Sequence, residues 1–274
     1  TENSLANPFR AGVNNFAEIS LEIGHLPDSV KNYERDLVLE DATAHVRYEK
    51  DGITYQREYF CSYPDKVSVI RLWASQKGAL SLAVEARTPY LRPFGEAEHQ
   101  GKTGNVRAED NCITLWGKME YYQVEYEGQI LVQTEGGSLR TEGARLVVEA
   151  ADSVLLLIAV GTNYELRPSV FLEEDRTKKL QGNTHPHEKV SRILMDASQK
   201  SFEELRKRHV EDYQRLFKRV AVSLGSGQEE EERIPTDQLL KQYREGRHSH
   251  YLEEVYFQYG RYLLISSSRK GNYS

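Results

Sequence analysis

The sequence predicts a mainly β protein with C-terminal helices, built as a large antiparallel β-sandwich followed by helical units. Three observations carry this. Between residues 16 and 161, alternating apolar and polar runs are broken by Gly, Pro and Asp turn signals about every 8–12 residues, enough for about a dozen strands. From residue 188 the apolar period lengthens from two residues to that of an α-helix. The stretch HYLEEVYFQYGRYLLISSSR, residues 250–269, is apolar almost all round at helical spacing.

The elements follow in order. Phe16, Ile19, Leu21 and Ile23 mark a first strand, ended by Gly24 and Pro27-Asp28. Leu37 and Leu39, then Val46 and Tyr48, alternate with polar neighbours. Asp51-Gly52, between HVRYE and ITYQREYF, predicts a tight hairpin because Gly tolerates positive φ. VSVIRLWA (67–74) is apolar on both faces, as a central strand requires, and LSLAVEAR (80–87) is another strand. Residues 88–111 hold Pro89, Pro93, Gly95, Gly101 and Gly104 with few periodic apolar residues, the pattern of a long loop. Strands are expected again at 112–119, 121–128, 129–137, 144–150 and 153–161, the last fully buried.

The helical part begins with a stripe of Val190, Ile193, Leu194 and Ala197. Ser201 and Glu204 form a capping box at the start of a second helix, with Phe202, Leu205, Val210, Tyr213, Leu216 and Phe217 inside. VAVSL (220–224) returns to a strand pattern, and GSGQEEEER (225–233) reads as a solvated acidic linker. Thr236 or Asp237 is the expected N-cap of a further helix. The 250–269 helix is so apolar that it requires burial against several partners, and the five residues that follow Arg269 do not supply them.

Composition narrows the function. The 274 residues carry a net charge of −6 with a pI of about 5.8, which speaks against a nucleic-acid partner because phosphate binding needs a basic surface. No run of apolar residues reaches membrane-spanning length, so no membrane partner is expected. Seventeen Tyr against eight Phe fits strand faces, and also suits sugar surfaces. Cys61 and Cys112 match no metal spacing and read as buried fillers. No signal peptide is visible, and TENSLANPFRAG reads as the interior of a longer protein. The compartment stays open between secreted, periplasmic and cytoplasmic in a bacterium.

No constellation of residues announces chemistry. Glu253 and Glu254 are adjacent, so on a helix they point about 100° apart and cannot flank one bond. His185-Pro-His187 offers two imidazoles but no acidic or sulfur ligand nearby in sequence, and His248 and His250 sit at a turn. His209 and Asp212 can meet across one helical turn, a spacing that also serves an interface hydrogen bond. Arg269, after three serines, is the candidate substrate-binding residue, suited to a carboxylate or a sugar hydroxyl, and equally suited to capping the preceding helix. Asn272-Tyr273-Ser274 is a formal glycosylation sequon. No catalytic or metal-binding residue emerges.

Four segments resemble glycoside hydrolase family 95, the α-L-fucosidase-like enzymes: NYERDLVLEDATAHVRYEKDGITYQREYFCSYPDKVSVIRL (32–72), HVEDYQRLFKRVAVSLG (209–225), PTDQLL (235–240) and FQYGRYLLISSSRKG (257–271). The resemblance implies a β-sandwich over 1–185, N-terminally incomplete, linker helices with a return strand and acidic loop over 186–234, and the first helices of an (α/α)6 catalytic barrel from 235 to 274. It implies an exo-acting, inverting hydrolase that releases terminal α-L-fucose from a fucosylated glycan, with no cofactor. The remainder of the barrel becomes a partner of this chain. The family's catalytic carboxylates and asparagines lie farther on in that barrel, so none is carried over. Lys270 stands where Pro is commoner, and the run of Glu at 229–232 is a local addition. Two other readings stay open: a non-catalytic carbohydrate-binding β module, and a helical-barrel hydrolase or phosphorylase of other specificity, such as an α-L-galactosidase.

Overall fold

The structure is a computed structural model, described for residues 16–88, 102–119, 123–175, 177–225 and 230–269. Two antiparallel sheets form a sandwich, and helices cover the outer face of the larger one. The small sheet has the order β1 (Glu18–Glu22), β6 (Leu80–Arg87), β11 (Arg145–Ala151), β10 (Ser138–Glu142). The large sheet has the order β2 (Lys31–Val38), β3 (Thr43–Lys50), β4 (Ile53–Ser62), β5 (Val67–Ala74), β12 (Ser153–Thr162), β9 (Val124–Glu135), β8 (Cys112–Met119), β7 (Lys102–Glu109).

The strand period of two decides how the core divides. In β12, Val154 and Leu156 face the small sheet, while Leu157 and Ala159 face the helices. One cluster, including Leu72, Val84, Ile113, Leu115, Leu146 and Val148, fills the space between the sheets. A second joins Phe60, Val67, Val69, Leu157 and Ala159 to Val190, Leu194, Ala197 and Leu205 of the helices. The continuous apolar runs of β5 and β12 are thus required on both sides, and those two strands pair at the centre of the large sheet.

Several expectations are corrected. Residues 102–109 are strand β7, not loop. The inner positions Gly104, Val106 and Ala108 are small, so the alternation is weak in sequence, yet the strand pairs with β8 along its whole length. The rest of that expected loop, 89–101, lies outside the described residues. The two strands expected at 121–128 and 129–137 are one strand, β9, which runs straight through Gly128. Gly128 has no positive φ, and a Cβ there would strike the Phe16 ring at 2.4 Å, so its smallness serves close approach, not a turn. Strand β10 was not foreseen. The Asp51-Gly52 hairpin forms as expected, with φ of 51° and 79°.

Among the helices, α1 (Pro168–Leu172) is a short addition, α2 (His187–Ser198) buries Val190, Leu194 and Ala197, and α3 (Phe202–Phe217) starts on Ser201, whose Oγ accepts from Glu204 N–H at 3.1 Å. The buried stripe of α3 is Leu205, His209, Tyr213 and Phe217. Residues 220–224 form no strand. Two of their backbone groups bond to the last helix, the carbonyl of Val220 accepting from Arg261 and the amide of Leu224 donating to Glu254. Helix α4 (Thr236–Arg244) follows Pro235 without a side-chain cap, so neither Thr236 nor Asp237 caps it. Helix α5 (His250–Ser267) is capped by Ser249, which accepts from Leu252 N–H at 3.0 Å. The all-round burial expected of α5 is not met within this chain: Leu252 is buried, but Tyr256 is 77% exposed and Leu264 65%.

Candidate functional site

Functional groups concentrate where α3 crosses the large sheet and meets α5. Asp41, in the turn between β2 and β3, is the hub. Its carboxylate accepts from Gln214 Nε2 at 2.8 Å and pairs with Arg206 Nη2 at 3.3 Å. Arg206 Nε also donates to Glu58 Oε1 at 2.6 Å. Farther along the helix–sheet seam, Asp65 holds Arg208 at 3.0 Å and Lys200 at 3.6 Å. Burial of Glu58 and Asp65 is tolerated because each has a cation within reach.

His209 does not pair with Asp212. Its Nε2 donates to the carbonyls of Asp41 at 2.9 Å and Ala42 at 3.2 Å, and its ring stacks on Phe60 at 4.9 Å. Burial pulls the imidazole below its usual range, which keeps it neutral in this place. Beside it the Tyr213 hydroxyl donates to Leu39 O at 2.9 Å, and burial pushes that phenol up.

Asp212 turns the other way and lies between two arginines. Arg215 donates to Oδ1 at 2.8 Å, and Arg269 Nη2 lies 2.9 Å from Oδ2. Arg269 also covers the Tyr63 ring at 4.8 Å. The guanidinium thus holds a carboxylate of its own chain, and the α5 C-terminus is closed instead by the Ser268 amide donating to Leu264 O at 2.9 Å. Arg261 pins α5 to α3, donating to Phe217 O at 2.6 Å with its charge over the Phe217 ring.

The other residues singled out from sequence are dispersed. Glu253 accepts from the Tyr243 hydroxyl at 2.7 Å, and Glu254 from the Leu224 amide, so neither is an acid–base pair with the other. The sequon at 272–274 lies outside the described residues. Cys61 is exposed and Cys112 half-buried, both free, so Cys61 is no core filler. His185 and His187 do find an acidic group, Glu127 from the middle of β9. His187 Nδ1 is 2.8 Å from its Oε1 and His185 Nδ1 is 4.0 Å from its Oε2. No local signal marked this, since Glu127 falls with Gln123 and Glu125 on the polar side of the strand's alternation. Among the described residues no group of three or more His, Cys, Asp or Glu could hold a metal ion, and no helix is long and apolar enough to cross a membrane.

Comparison with known proteins agrees with this layout. The profile for "Glycosyl hydrolase family 65, N-terminal domain" matches residues 3–167, and that for "Glycosyl hydrolase family 95 catalytic domain" matches residues 201–274. The chain is 31% identical to a "Probable alpha-fucosidase A" of Aspergillus niger, over 97% of this chain and 32% of that protein. It is 28% identical to "Alpha-L-fucosidase 2" of Arabidopsis thaliana, over 92% of this chain and 31% of that protein. It therefore spans about a third of the length of the curated relatives it matches. A solved "Putative kojibiose phosphorylase from human microbiome" superposes on 73% of this chain and 27% of its own at 11% identity and a TM-score of 0.48, too slight a likeness to carry an argument. The family 65 N-terminal profile covers more than half of the chain, so the chain belongs to the proteins that carry a glycosyl hydrolase family 65 N-terminal domain, followed here by a segment from α3 onward that matches the family 95 catalytic domain.

Proposed function

We propose that this chain is the sandwich and the beginning of the catalytic domain of an exo-acting glycoside hydrolase that releases terminal α-L-fucose from a glycan. The observation that carries the reading is the family 95 catalytic match over 201–274, which includes both the helix bolted to the sandwich and α5. The exposed Tyr256, Phe257, Tyr259, Leu263 and Leu264 support it, since one helix displaying five large apolar side chains calls for further helices against it. In this reading those helices belong to the remainder of an (α/α)6 barrel. The domain bounds are 1–185, 186–234 and 235–274, with the acid, the base and the fucose pocket located in that remainder. Inversion needs an acid on the leaving oxygen and a base-activated water on the opposite face of the ring. No residue here is given either role. Arg269 enters as a positioning residue, since its ion pair with Asp212 ties the end of α5 to α3.

The test is an assay of the complete protein on an aryl α-L-fucoside and an aryl α-L-galactoside, with and without inorganic phosphate. Phosphate-independent release of β-L-fucose, faster than release of galactose, is expected. Release only as a sugar phosphate, or only from the galactoside, would replace this reading with a phosphorylase or a galactosidase. No turnover of either would leave a binding module.

A further inference from the structure

The face of the large sheet opposite the helices carries a concave feature. At the edge of the sandwich, Leu21, Ile23 and His25 at the end of β1, Tyr33 of β2, Tyr48 of β3 and Arg57 of β4 line a cavity of about 430 Å³. That is room for one or two sugar rings. Its floor is rigid. Tyr48 stacks on Tyr55 at 5.3 Å, and His25 meets both rings edge-on, with Nδ1 3.0 Å from the Tyr48 hydroxyl.

Arg57 is the unusual member. Its guanidinium lies over the Tyr48 ring at 5.8 Å. Burial works against its charge, and hydrogen bonds with Tyr59 and Tyr48 outweigh that and hold the charge on. Arg206, Arg71 and Arg269 in comparable half-buried places each have a carboxylate within 3.3 Å. No carboxylate among the described residues pairs with Arg57, and the nearby Asp51 is engaged by Lys50 at 3.0 Å. A half-buried guanidinium whose partners are all neutral retains an unmet preference for an anion. Burial first, with Lys50 and Arg57 adding to it, holds the His25 imidazole below its usual range, so the Arg57 cation faces a neutral ring. Tyr33, 58% exposed, adds a flat apolar face at the mouth.

We propose that this pocket is a carbohydrate-binding subsite for a sugar residue bearing a carboxylate, a uronic acid, with the carboxylate on Arg57 and the ring face on Tyr33. The choice of a sugar rests on the glycoside hydrolase reading above; the choice of an acid rests on Arg57 alone.

Calorimetric titration of this chain with galacturonic acid and with galactose tests it. Galacturonic acid is expected to bind with a millimolar Kd, at least tenfold tighter than galactose, a difference of about 1.4 kcal/mol. Arg57→Met should bring the two sugars level. Tyr33→Ala should weaken galacturonic acid several-fold without moving the melting temperature, which keeps the test decisive should Arg57→Met fail to fold. The proposal is overturned by no saturable binding up to about 50 mM, where a millimolar site would be filled. Equal affinity for the two sugars, or binding untouched by Tyr33→Ala, overturns it as well. The readout involves no fucose release, so failure of the fucosidase reading and failure of this subsite remain distinguishable.

Discussion

Glu127 tests how α2 is held on the sheet. Its side chain is 4% exposed, and its Oε1 is shared by Gln129 Nε2 at 2.7 Å and His187 Nδ1 at 2.8 Å. Gln129 Nε2 also reaches Ser191 Oγ of α2 at 2.8 Å, so one carboxylate organises the polar seam between helix and sheet. Stripping one partner from a fully buried pair costs about 3–5 kcal/mol. The His187 side chain, however, is 61% exposed, and water weakens its share, which lowers the expected cost of His187→Ala to about 1–2 kcal/mol. Glu127→Gln keeps the shape and one acceptor oxygen but sets a second amide N–H₂ near that of Gln129, for a similar loss of about 1–2 kcal/mol. Both substitutions break the same contact, so the double variant should be less destabilised than the sum by about 1 kcal/mol. Urea unfolding followed by circular dichroism, with equal m-values across the four proteins, measures this. Additivity within about 0.3 kcal/mol would show that the two side chains do not interact in solution and would refute the reasoning.

Two further outcomes follow from single residues. Because burial holds His209 below the usual imidazole range, the unfolded chain binds its proton first as pH falls through about 6.5. Stability is therefore full above that pH and declines below it toward the lower folded value, with His25 adding in the same direction. His209→Gln should make the decline shallower in unfolding curves taken at a series of pH values, and an unchanged slope would contradict the assignment. At the β9–β10 turn, Gly137 has φ of +64° and a Cβ there would lie 2.2 Å from Glu149 O, whereas Gly143, with φ of +63°, has nothing within 4 Å. Gly143→Ala should cost only the left-handed penalty, about 1–2 kcal/mol. Gly137→Ala should cost clearly more, and equal melting temperatures would be the contrary result.

Legibility in the sequence tracked how far each side chain's role was local. Strands β5 and β6 could be placed to the residue, because their patterns report burial directly and β5 is apolar on both faces. The Asp51-Gly52 turn was equally plain. Strand β7 was not, since Gly104, Val106 and Ala108 pack without bulk. The polar seams were invisible for a different reason. Glu58 and Glu127 sit where a strand reading assigns charge to solvent and Asp65 where a turn does, and their burial rests on pairings 60 to 148 residues apart. His209 illustrates both sides: its helix was evident, but its partners lie more than 160 residues away in sequence. The pocket at His25 and Arg57 was equally hidden, being assembled from four strands.

The two faces of the large sheet hold their partners by different physics. Against the small sheet the contact is apolar, and register is fixed by the strand period, since a slip of one residue would turn every core side chain outward. Against α3 that safeguard is missing. A stripe of Leu205, His209, Tyr213 and Phe217 at i+4 spacing could advance one turn along Phe60 and Val69 and still find apolar surface. The charged pairs remove that freedom. Moving α3 by one turn would take Arg206 from Glu58 and Asp41, and Arg208 from Asp65, leaving buried carboxylates uncompensated at several kcal/mol each. The helix so indexed is also the first in the catalytic match, and Arg261 and Arg269 carry its position on to α5. The sandwich thus sets where the helices of the family 95 match begin, and it does so with the polar residues that a hydrophobic pattern leaves unexplained.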